Sequence, residues 1–197
     1  MSGLPRALSG GFDIRQLAQV SAISREGTGW TVQVGAKNHY VDLVVITVPA
    51  PQLAGLLGPD HPFVVQAADV RFAPGLTLMA AIDAPAPFVS RRDDSGPLAW
   101  IANNGSKPGR PKCQATAWVA QASPAFSAQH LEDDPAAVTA RMLPLLCDQL
   151  SVSANQVIHA SAHRWRYAHV TAPLGQPFLH HAGSLYAAVS YTHLRAH

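Results

Sequence analysis

Residues 43–48, Leu-Val-Val-Ile-Thr-Val, form an almost uninterrupted apolar run that ends at Pro49-Ala50-Pro51. A strand that is hydrophobic on both faces is usually covered on both faces, as in the parallel sheets of α/β proteins. In open α/β sheets, ligands bind where a strand ends in a turn at its carboxyl end. The run therefore predicts a sheet with a layer on either side and a ligand close to residues 49–51.

Two alternating segments precede this run and predict a β-hairpin. The first spans residues 16–24, and the second, residues 30–34, is β-branched or aromatic at most positions. Residues 26–29 between them carry the glycines of a turn. Residues 36–39 predict a further turn, and residues 3–10 predict a short helix. The first third of the chain is therefore predicted to be rich in β-structure.

From residue 76 onward, apolar strands alternate with polar loops. We predict strands at residues 76–82, 98–102 and 115–121, and this order favours an antiparallel sheet with one half-wet face. Residues 156–170 predict a last long strand that returns to the same sheet. One face of that strand carries Val157, His159, Ser161, His163, Trp165, Tyr167 and His169.

One helix has clear start signals. Asp134 is a suitable N-cap, and Pro135 is the residue favoured at the first helical position. An apolar stripe follows at helical spacing, made of Val138, Met142, Leu145, Leu146 and Leu150. Pro144 lies inside this pattern, and we expect it to kink or interrupt the helix.

Composition excludes several classes of function. Hydrophobic residues make up 48% of the chain and charged residues 13%, which supports a packed core and not long disorder. The formal net charge is +2 without a basic stripe, so nucleic acid is not an expected partner. The most apolar stretch is broken by Pro49, Pro51 and Gly55, so no membrane partner is expected either. Cys113 and Cys147 are expected to be reduced thiols of a cytoplasmic protein.

Candidate ligand-binding residues fall into two groups, each with a structural alternative. The loop 103–110, Asn-Asn-Gly-Ser-Lys-Pro-Gly-Arg, offers amides and two cations that could orient an anionic or amide-bearing ligand, or it is an ordinary surface turn. Trp165 and Tyr167 could wall a flat ligand, or they could belong to a core face, and the same two interpretations apply to Trp100 and Trp118.

Other site chemistries lack the residues that they need. The histidines on the last strand have no carboxylate or cysteine at ligand spacing, so we expect no metal. The chain contains no GxSxG, GxGxxG or GxxxxGK[ST] motif. From the residues alone, the prediction is an α/β or α+β protein with a ligand pocket and no identified catalytic residue.

Five segments in order resemble the renalase-like branch of the FAD-dependent amine oxidase superfamily. The match runs from Met1 to about Ala188. The segments are MSGLPRAL (1–8), LAQVSAI (17–23), DLVVITVPAPQ (42–52), LAWIANNGSKPGR (98–110) and HRWRYA (163–168). The resemblance implies a fragment of the two-domain FAD/NAD(P)-binding fold, with a partial FAD domain and an antiparallel-sheet substrate domain.

The resemblance also implies domain boundaries. Residues 1–68 would be the partial FAD domain, residues 69–172 the substrate domain, and residues 173–188 the start of a C-terminal FAD-domain segment. The family's GxGxxG unit and its Gly-Asp element that holds the flavin are not in the printed chain, so we expect no FAD binding by this chain alone. Residues 189–197 resemble translated adapter sequence, and we interpret them as a non-native tail.

The implied cofactor is FAD, and the implied site residues follow from motif position. Val20 would meet the adenine through its backbone, and Pro49 and Ala50 would flank the cofactor. The substrate pocket above the flavin would be formed by Trp100, Asn103, Lys107, Arg110, Trp118, Trp165 and Tyr167. The implied reaction transfers a hydride from a dihydronicotinamide-type or amine substrate to the flavin, with O2 as the final acceptor.

Two alternatives remain open at this point. The chain could be a non-catalytic binding or interaction module that uses its aromatic sheet face. It could also be an amine or carotenoid-type oxidase of the same superfamily with a different substrate. The sequence does not specify an oligomeric state.

Overall fold

The computed structural model describes residues 3–111, 113–188 and 191–192. The chain divides into two compact units. We call residues 1–70 with 173–197 the discontinuous unit, and residues 71–172 the inserted unit.

The discontinuous unit contains a three-stranded antiparallel meander. Its strands are β1 (Val20–Glu26), β2 (Gly29–Val34) and β3 (Lys37–Val41), and a short helix, α1 (Gly3–Leu8), precedes them. The predicted hairpin is confirmed. The turn predicted at residues 36–39 is wrong for residues 37–39, because the chain turns at Gly35 (φ +58°) and already pairs as a strand from Lys37.

A second small sheet joins distant parts of the sequence. Strand β4 (Val44–Ile46) pairs in parallel with β11 (Leu185–Ala187), which pairs antiparallel with β10 (Leu179–His181). The expectation that the apolar run is covered on both faces is wrong here. Ile46 is buried, but Leu43 and Val45 are 54% and 56% exposed.

Short helices follow β4. A 3₁₀ turn at Ala50–Gln52 leads into α2 (Leu53–Leu57), and α3 (Pro62–Gln66) comes next, with His61 as its N-cap. Helix α2 packs against β1 and buries Leu53. Helix α3 packs against β10, so the segment after the apolar run binds to both sheets of this unit.

A hydrogen bond between side chains attaches the meander to the turn before β11. The indole Nε1 of Trp30, a buried residue, donates to Ser184 Oγ at 2.9 Å. The Arg25 guanidinium lies 5.1 Å from the centroid of the Trp30 ring and donates to the Ala182 carbonyl oxygen. Residues 182–184 are therefore held by two side chains of the meander.

The inserted unit is built on one five-stranded antiparallel sheet in the order β6-β7-β8-β5-β9, which confirms the predicted sheet. Its strands are β5 (Arg71–Ile82), β6 (Ser90–Arg92), β7 (Leu98–Asn103), β8 (Thr116–Ala122) and β9 (Val157–Ala172). Two helices complete the unit, α4 (Pro124–Gln129) and α5 (Pro135–Leu150). Neither β6 nor α4 is among the predicted elements.

Helix α5 covers one face of this sheet. Its N-cap is Asp134, whose carboxylate accepts from the Ala137 N–H, as predicted. The helix packs a stripe of buried residues against the sheet: Val138, Met142, Leu146 and Leu150. The expectation that Pro144 interrupts the helix is wrong, because α5 continues through it to Leu150.

Two residues of the predicted tail lie within the described part of the chain. Tyr191 and Thr192 are buried, and their carbonyl oxygens accept from the N–H groups of Leu174 and Gly175. Burial raises the pKa of Tyr191 to about 12. The rest of the predicted tail lies outside the described residues. Among the described residues, no helix is long and apolar enough to cross a membrane.

Candidate functional site

Helix α5 covers one face of the sheet of the inserted unit, and Phe126 of α4 packs against the same core. We call the opposite face, which no described helix of this unit covers, the open face. Along β5, Leu76 and Leu78 point into the helix-covered core, so the alternating residues Thr77 and Met79 lie on the open face. Met79 is 43% exposed, although its two neighbours in the strand are buried.

The strand register assigns the other residues of the open face. Gln121 pairs with Trp100, and Trp100 with Arg92, so one row crosses three strands. Met79 pairs with Val119 on one side and Ser161 on the other, which gives a second row. Pairing also places the following residues on this face: Ala81, Ser90, Ala102, Ala117, His159, His163 and Trp165.

One end of the open face holds a cleft of about 310 Å³, which we call the Trp100 cleft. Its walls combine an aromatic ring, a cation, a carboxylate, an amide and an imidazole. The residues lining it are Pro74, Arg92, Asp94, Ala99, Trp100, Gln121, Ala122, Pro124 and His169. A cleft of this composition can bind a flat ligand and hydrogen-bond its polar edge.

Trp165 lies on the open face but outside the lining of the Trp100 cleft. Its ring is 55% exposed and makes an edge-on contact with His163 at 4.6 Å between ring centroids. The exposed indole presents a flat apolar surface next to an imidazole.

Trp118 does not belong to this surface, and the prediction that it walls the pocket is corrected. It is 2% exposed and lies on the helix-covered side of the sheet, where its ring contacts Phe88. Its indole Nε1 donates to Thr116 Oγ1 at 2.9 Å. Trp118 is therefore a core residue.

Tyr167 is also separated from the open-face aromatics. The pairing of β5 with β9 shifts register between Ala73 and Gly75, so the predicted alternation does not continue unbroken from Trp165 to His169. The Tyr167 ring packs edge-on against Phe72 at 5.5 Å between centroids. This contact places Tyr167 in local packing.

The β7–β8 connection encloses a second cleft of about 480 Å³, which we call the loop cleft. It brings together two predicted residues, Asn103 and Arg110, whereas Lys107 does not line it. Asn103 Oδ1 accepts from the Gly105 N–H at 2.9 Å and caps a 3₁₀ turn at Asn104–Ser106. The loop is thus both a turn, as the structural alternative held, and the wall of a cleft.

The residues predicted to bind the cofactor all lie in the discontinuous unit. Val20 begins β1 at a β-bulge, because the register shifts between Val20 and Ala22. Pro49 is the N-cap of the 3₁₀ turn after β4, and Ala50 is its first, buried residue. Among the described residues, no group of three or more His, Cys, Asp or Glu could hold a metal.

Four polar residues of the Trp100 cleft were missed from the sequence: Arg92, Asp94, Gln121 and His169. Arg92 lies in a segment interpreted as loop, and Gln121 lies at the end of a predicted strand. Only the pairing of both residues with Trp100 shows that they share its face. The alternation of residues 115–121 separates Gln121 from Trp118, but it does not show which of the two shares a face with Trp100.

No protein-family model matches the chain. Solved structures do match its fold. A protoporphyrinogen oxidase-like protein from Exiguobacterium sp. 255-15 matches with a TM-score of 0.65 and 19% identity, over 89% of this chain and 41% of that one. Wild-type putrescine oxidase bound to putrescine matches with a TM-score of 0.64 and 16% identity, over 85% of this chain and 40% of that one.

An oxidoreductase from Methanosarcina mazei matches with a TM-score of 0.62 and 15% identity, over 94% of this chain and 47% of that one. The chain thus spans less than half the length of each of these proteins. It has the fold of part of an amine-oxidase-type oxidoreductase, which confirms the fold expected from the sequence resemblance.

Proposed function

We propose that this chain is part of an FAD-dependent oxidoreductase of the amine oxidase type, and that the open face of its inserted unit binds the substrate. The observation that carries the proposal is the fold match over 85% of the chain or more to oxidoreductases that include an amine oxidase. The Trp100 cleft adds a concave surface with an aromatic wall and several polar groups.

The described residues fit one part of FAD and not another. The bulge at Val20 frees backbone groups from regular pairing, which suits contact with an adenine edge, and Pro49 and Ala50 form a compact turn after a strand. Within the described residues, no glycine-rich loop leads into a helix that could cradle the diphosphate. On this proposal, the diphosphate of FAD would be held by residues other than those described.

The proposed reaction takes a hydride from a dihydronicotinamide-type substrate, as in renalase-like enzymes, or from an amine. When bound, FAD would supply the hydride acceptor, with O2 as the final electron acceptor. A dihydronicotinamide gains aromaticity when it loses a hydride, so this substrate needs no strong base from the protein. The contribution of the chain is then orientation, with Trp100 and Trp165 as flat surfaces and Gln121 as a hydrogen-bonding group.

The first test is to read the DNA on both sides of the coding sequence and to express the complete reading frame. We expect a yellow protein that releases FAD on denaturation and is bleached anaerobically by a dihydronicotinamide or an amine. The 197-residue chain purified in parallel should remain colourless when FAD is added. A complete reading frame without bound flavin would contradict the proposal, and a yellow 197-residue chain would contradict the expectation that this chain alone does not bind FAD.

The second test uses substitutions in that complete protein. Trp165→Ala and Gln121→Ala should raise KM or lower kcat, because each removes a side chain of the open face that the proposed substrate would contact. Ile158→Ala is a matched control on the same strand as Trp165, since Ile158 is exposed and lies outside both clefts. If kinetics are unchanged in the two site variants, the open face does not bind the substrate.

A further inference from the structure

The arginines of the inserted unit differ in what they contact. Arg141 pairs with Asp133, and Arg164 and Arg166 pair with Glu132, so these three stabilise the connection between α4, α5 and β9. Arg91 donates to Gln149 of α5 and lies over the Phe88 ring. Arg110, in contrast, makes no ion pair with any described residue, yet it lines the loop cleft.

The polar groups of the loop cleft are mainly hydrogen-bond donors. Asn103 Oδ1 already accepts from the Gly105 N–H, so the amide NH2 is what Asn103 can offer to a ligand. The Arg110 guanidinium adds further donors and a fixed positive charge. The described lining contains no Asp or Glu, whereas the Trp100 cleft contains Asp94.

We propose that the loop cleft is a subsite for an oxyanion, a phosphate or a carboxylate, that recognises the end of the substrate remote from the reacting group. Placing this group on the substrate depends on the proposed function, but oxyanion binding itself does not. The planar guanidinium and the amide NH2 are donors suited to two oxygen atoms of one anionic group.

The geometry of β8 sets the length of such a substrate. Ala117 lines the loop cleft and Gln121 lines the Trp100 cleft, and both lie on the open face of the same strand. Four residues along a strand span about 13 Å. The substrate class is therefore an elongated molecule with a flat group at the Trp100 cleft and an oxyanion about 13 Å away.

Cys113 provides a direct probe, because it is exposed and lines the loop cleft. We would alkylate the 197-residue chain with anionic iodoacetate and with neutral iodoacetamide and measure both rates at Cys113 by mass spectrometry. Arg110→Ala should lower the iodoacetate rate relative to the iodoacetamide rate by about threefold, since it removes one nearby charge. Cys147 is buried, which raises the pKa of its thiol, and it should stay unlabelled with either reagent.

Competition then tests a bound oxyanion and not only a local potential. Pyrophosphate or malonate should protect Cys113 from iodoacetate in a saturable way, and Arg110→Ala should weaken this protection by roughly tenfold or more. Stronger protection by pyrophosphate would identify a phosphate site, and stronger protection by malonate a carboxylate site.

The matched control is Arg91→Ala, which removes a guanidinium on the helix-covered side of the same sheet. It should leave both the rate ratio and the protection unchanged. The proposal is overturned if neither anion protects Cys113, or if Arg91→Ala has the same effect as Arg110→Ala. These outcomes are independent of flavin, so a complete reading frame without FAD would refute the proposed function and leave the oxyanion subsite standing.

Discussion

Each unit contains a buried tryptophan whose indole N–H donates to a side-chain hydroxyl, but the two acceptors lie at very different distances along the sequence. In the discontinuous unit, the Trp30 indole donates to the hydroxyl of Ser184, 154 residues away in the sequence. In the inserted unit, the Trp118 indole donates to Thr116, two residues away in the same strand. The inserted unit satisfies its buried indole locally, whereas the discontinuous unit does so only after a distant segment has joined it.

Burial follows the same division. The inserted unit has one continuous core between sheet and helix, with residues such as Leu78 and Met142 fully buried. Most of the exposed large hydrophobic side chains among the described residues belong to the discontinuous unit, including Phe12, Leu43 and Val45. One unit is thus stabilised mainly by packing, and the other depends more on single long-range contacts.

Truncation in the core should give the largest effect. Leu146→Ala is expected to lower the free energy of unfolding of the inserted unit by about 2–5 kcal/mol, because it leaves a cavity at a fully buried position. Val45→Ala in the discontinuous unit should change its stability by no more than about 0.5 kcal/mol, because Val45 is exposed. Hydrogen exchange read peptide by peptide separates the two units. Equal losses would mean that the exposed face of β4 is covered in solution.

Removal of the long-range acceptor should give the next largest effect. Ser184→Ala leaves the buried Trp30 N–H without a partner and should cost the discontinuous unit about 1–3 kcal/mol in chemical denaturation. Ser21→Ala, an exposed hydroxyl on the same meander, is the control. Combined with Trp30→Phe, Ser184→Ala should cost less than it does alone. Additive losses would show that the hydrogen bond does not form.

Helix capping offers a smaller effect within one element. Asp134→Ala should destabilise the inserted unit by about 1 kcal/mol, because the Ala137 N–H loses its acceptor. Asp148→Ala removes the same charge near the other end of α5, where a carboxylate opposes the helix dipole, and should be neutral or slightly stabilising. Thermal unfolding measures both, and a larger loss for Asp148→Ala would contradict the capping assignment.

Acidification should give the smallest difference in stability between the two units, because in the discontinuous unit it acts through one partly buried imidazole, that of His61. Burial lowers the pKa of His61, and repulsion from His181, whose ring lies 5.1 Å away, lowers it further. The unfolded chain protonates this residue near pH 6.5, so the discontinuous unit should keep its stability above about pH 6.5 and lose some as the pH falls.

The inserted unit should respond only at lower pH. A hydrogen bond from Arg166 lowers the pKa of Glu132, and one from His130 does the same for Asp133. Their contribution is present above an unfolded-state pKa of about 4 and is lost as the pH falls through the lower folded value. His61→Asn keeps an N-cap acceptor without the titration and should flatten the profile of the discontinuous unit between about pH 6.5 and 5. If the profile is unchanged, another group is responsible.

Local periodicity predicted much of the inserted unit but not the faces of its sheet. The alternation of β8 and the cap at Asp134 identify a strand and a helix because both signals are contained in a few neighbouring residues. The error at Trp118 has a different origin. Whether Trp100 and Trp118 share a face depends on the β7–β8 register and on the bulge between Leu98 and Trp100, and neither is encoded in one strand.

In the discontinuous unit, the missed strand has a physical reason. Residues 37–39 are polar, a pattern typical of a turn, but they belong to the outer strand of the meander. Lys37 and Asn38 are exposed there, where polar residues are tolerated. The loop cleft also required the structure. Its residues, from Asn103 to Ala117, are brought together by the folded path of the β7–β8 connection and not by strand periodicity.

The parallel pairing of β4 with β11 has a consequence for synthesis on the ribosome. Ile46 pairs opposite Ala187, so β4 is translated about 140 residues before its partner. At typical elongation rates, that interval is roughly 7–30 s. Arg71 and Ala172, the first and last residues of the inserted unit, pair in its sheet. The whole inserted unit can therefore fold before β11 is translated. During this interval the nascent β4 edge, with Val45 exposed, has no partner from β11 and is a segment to which a chaperone could bind.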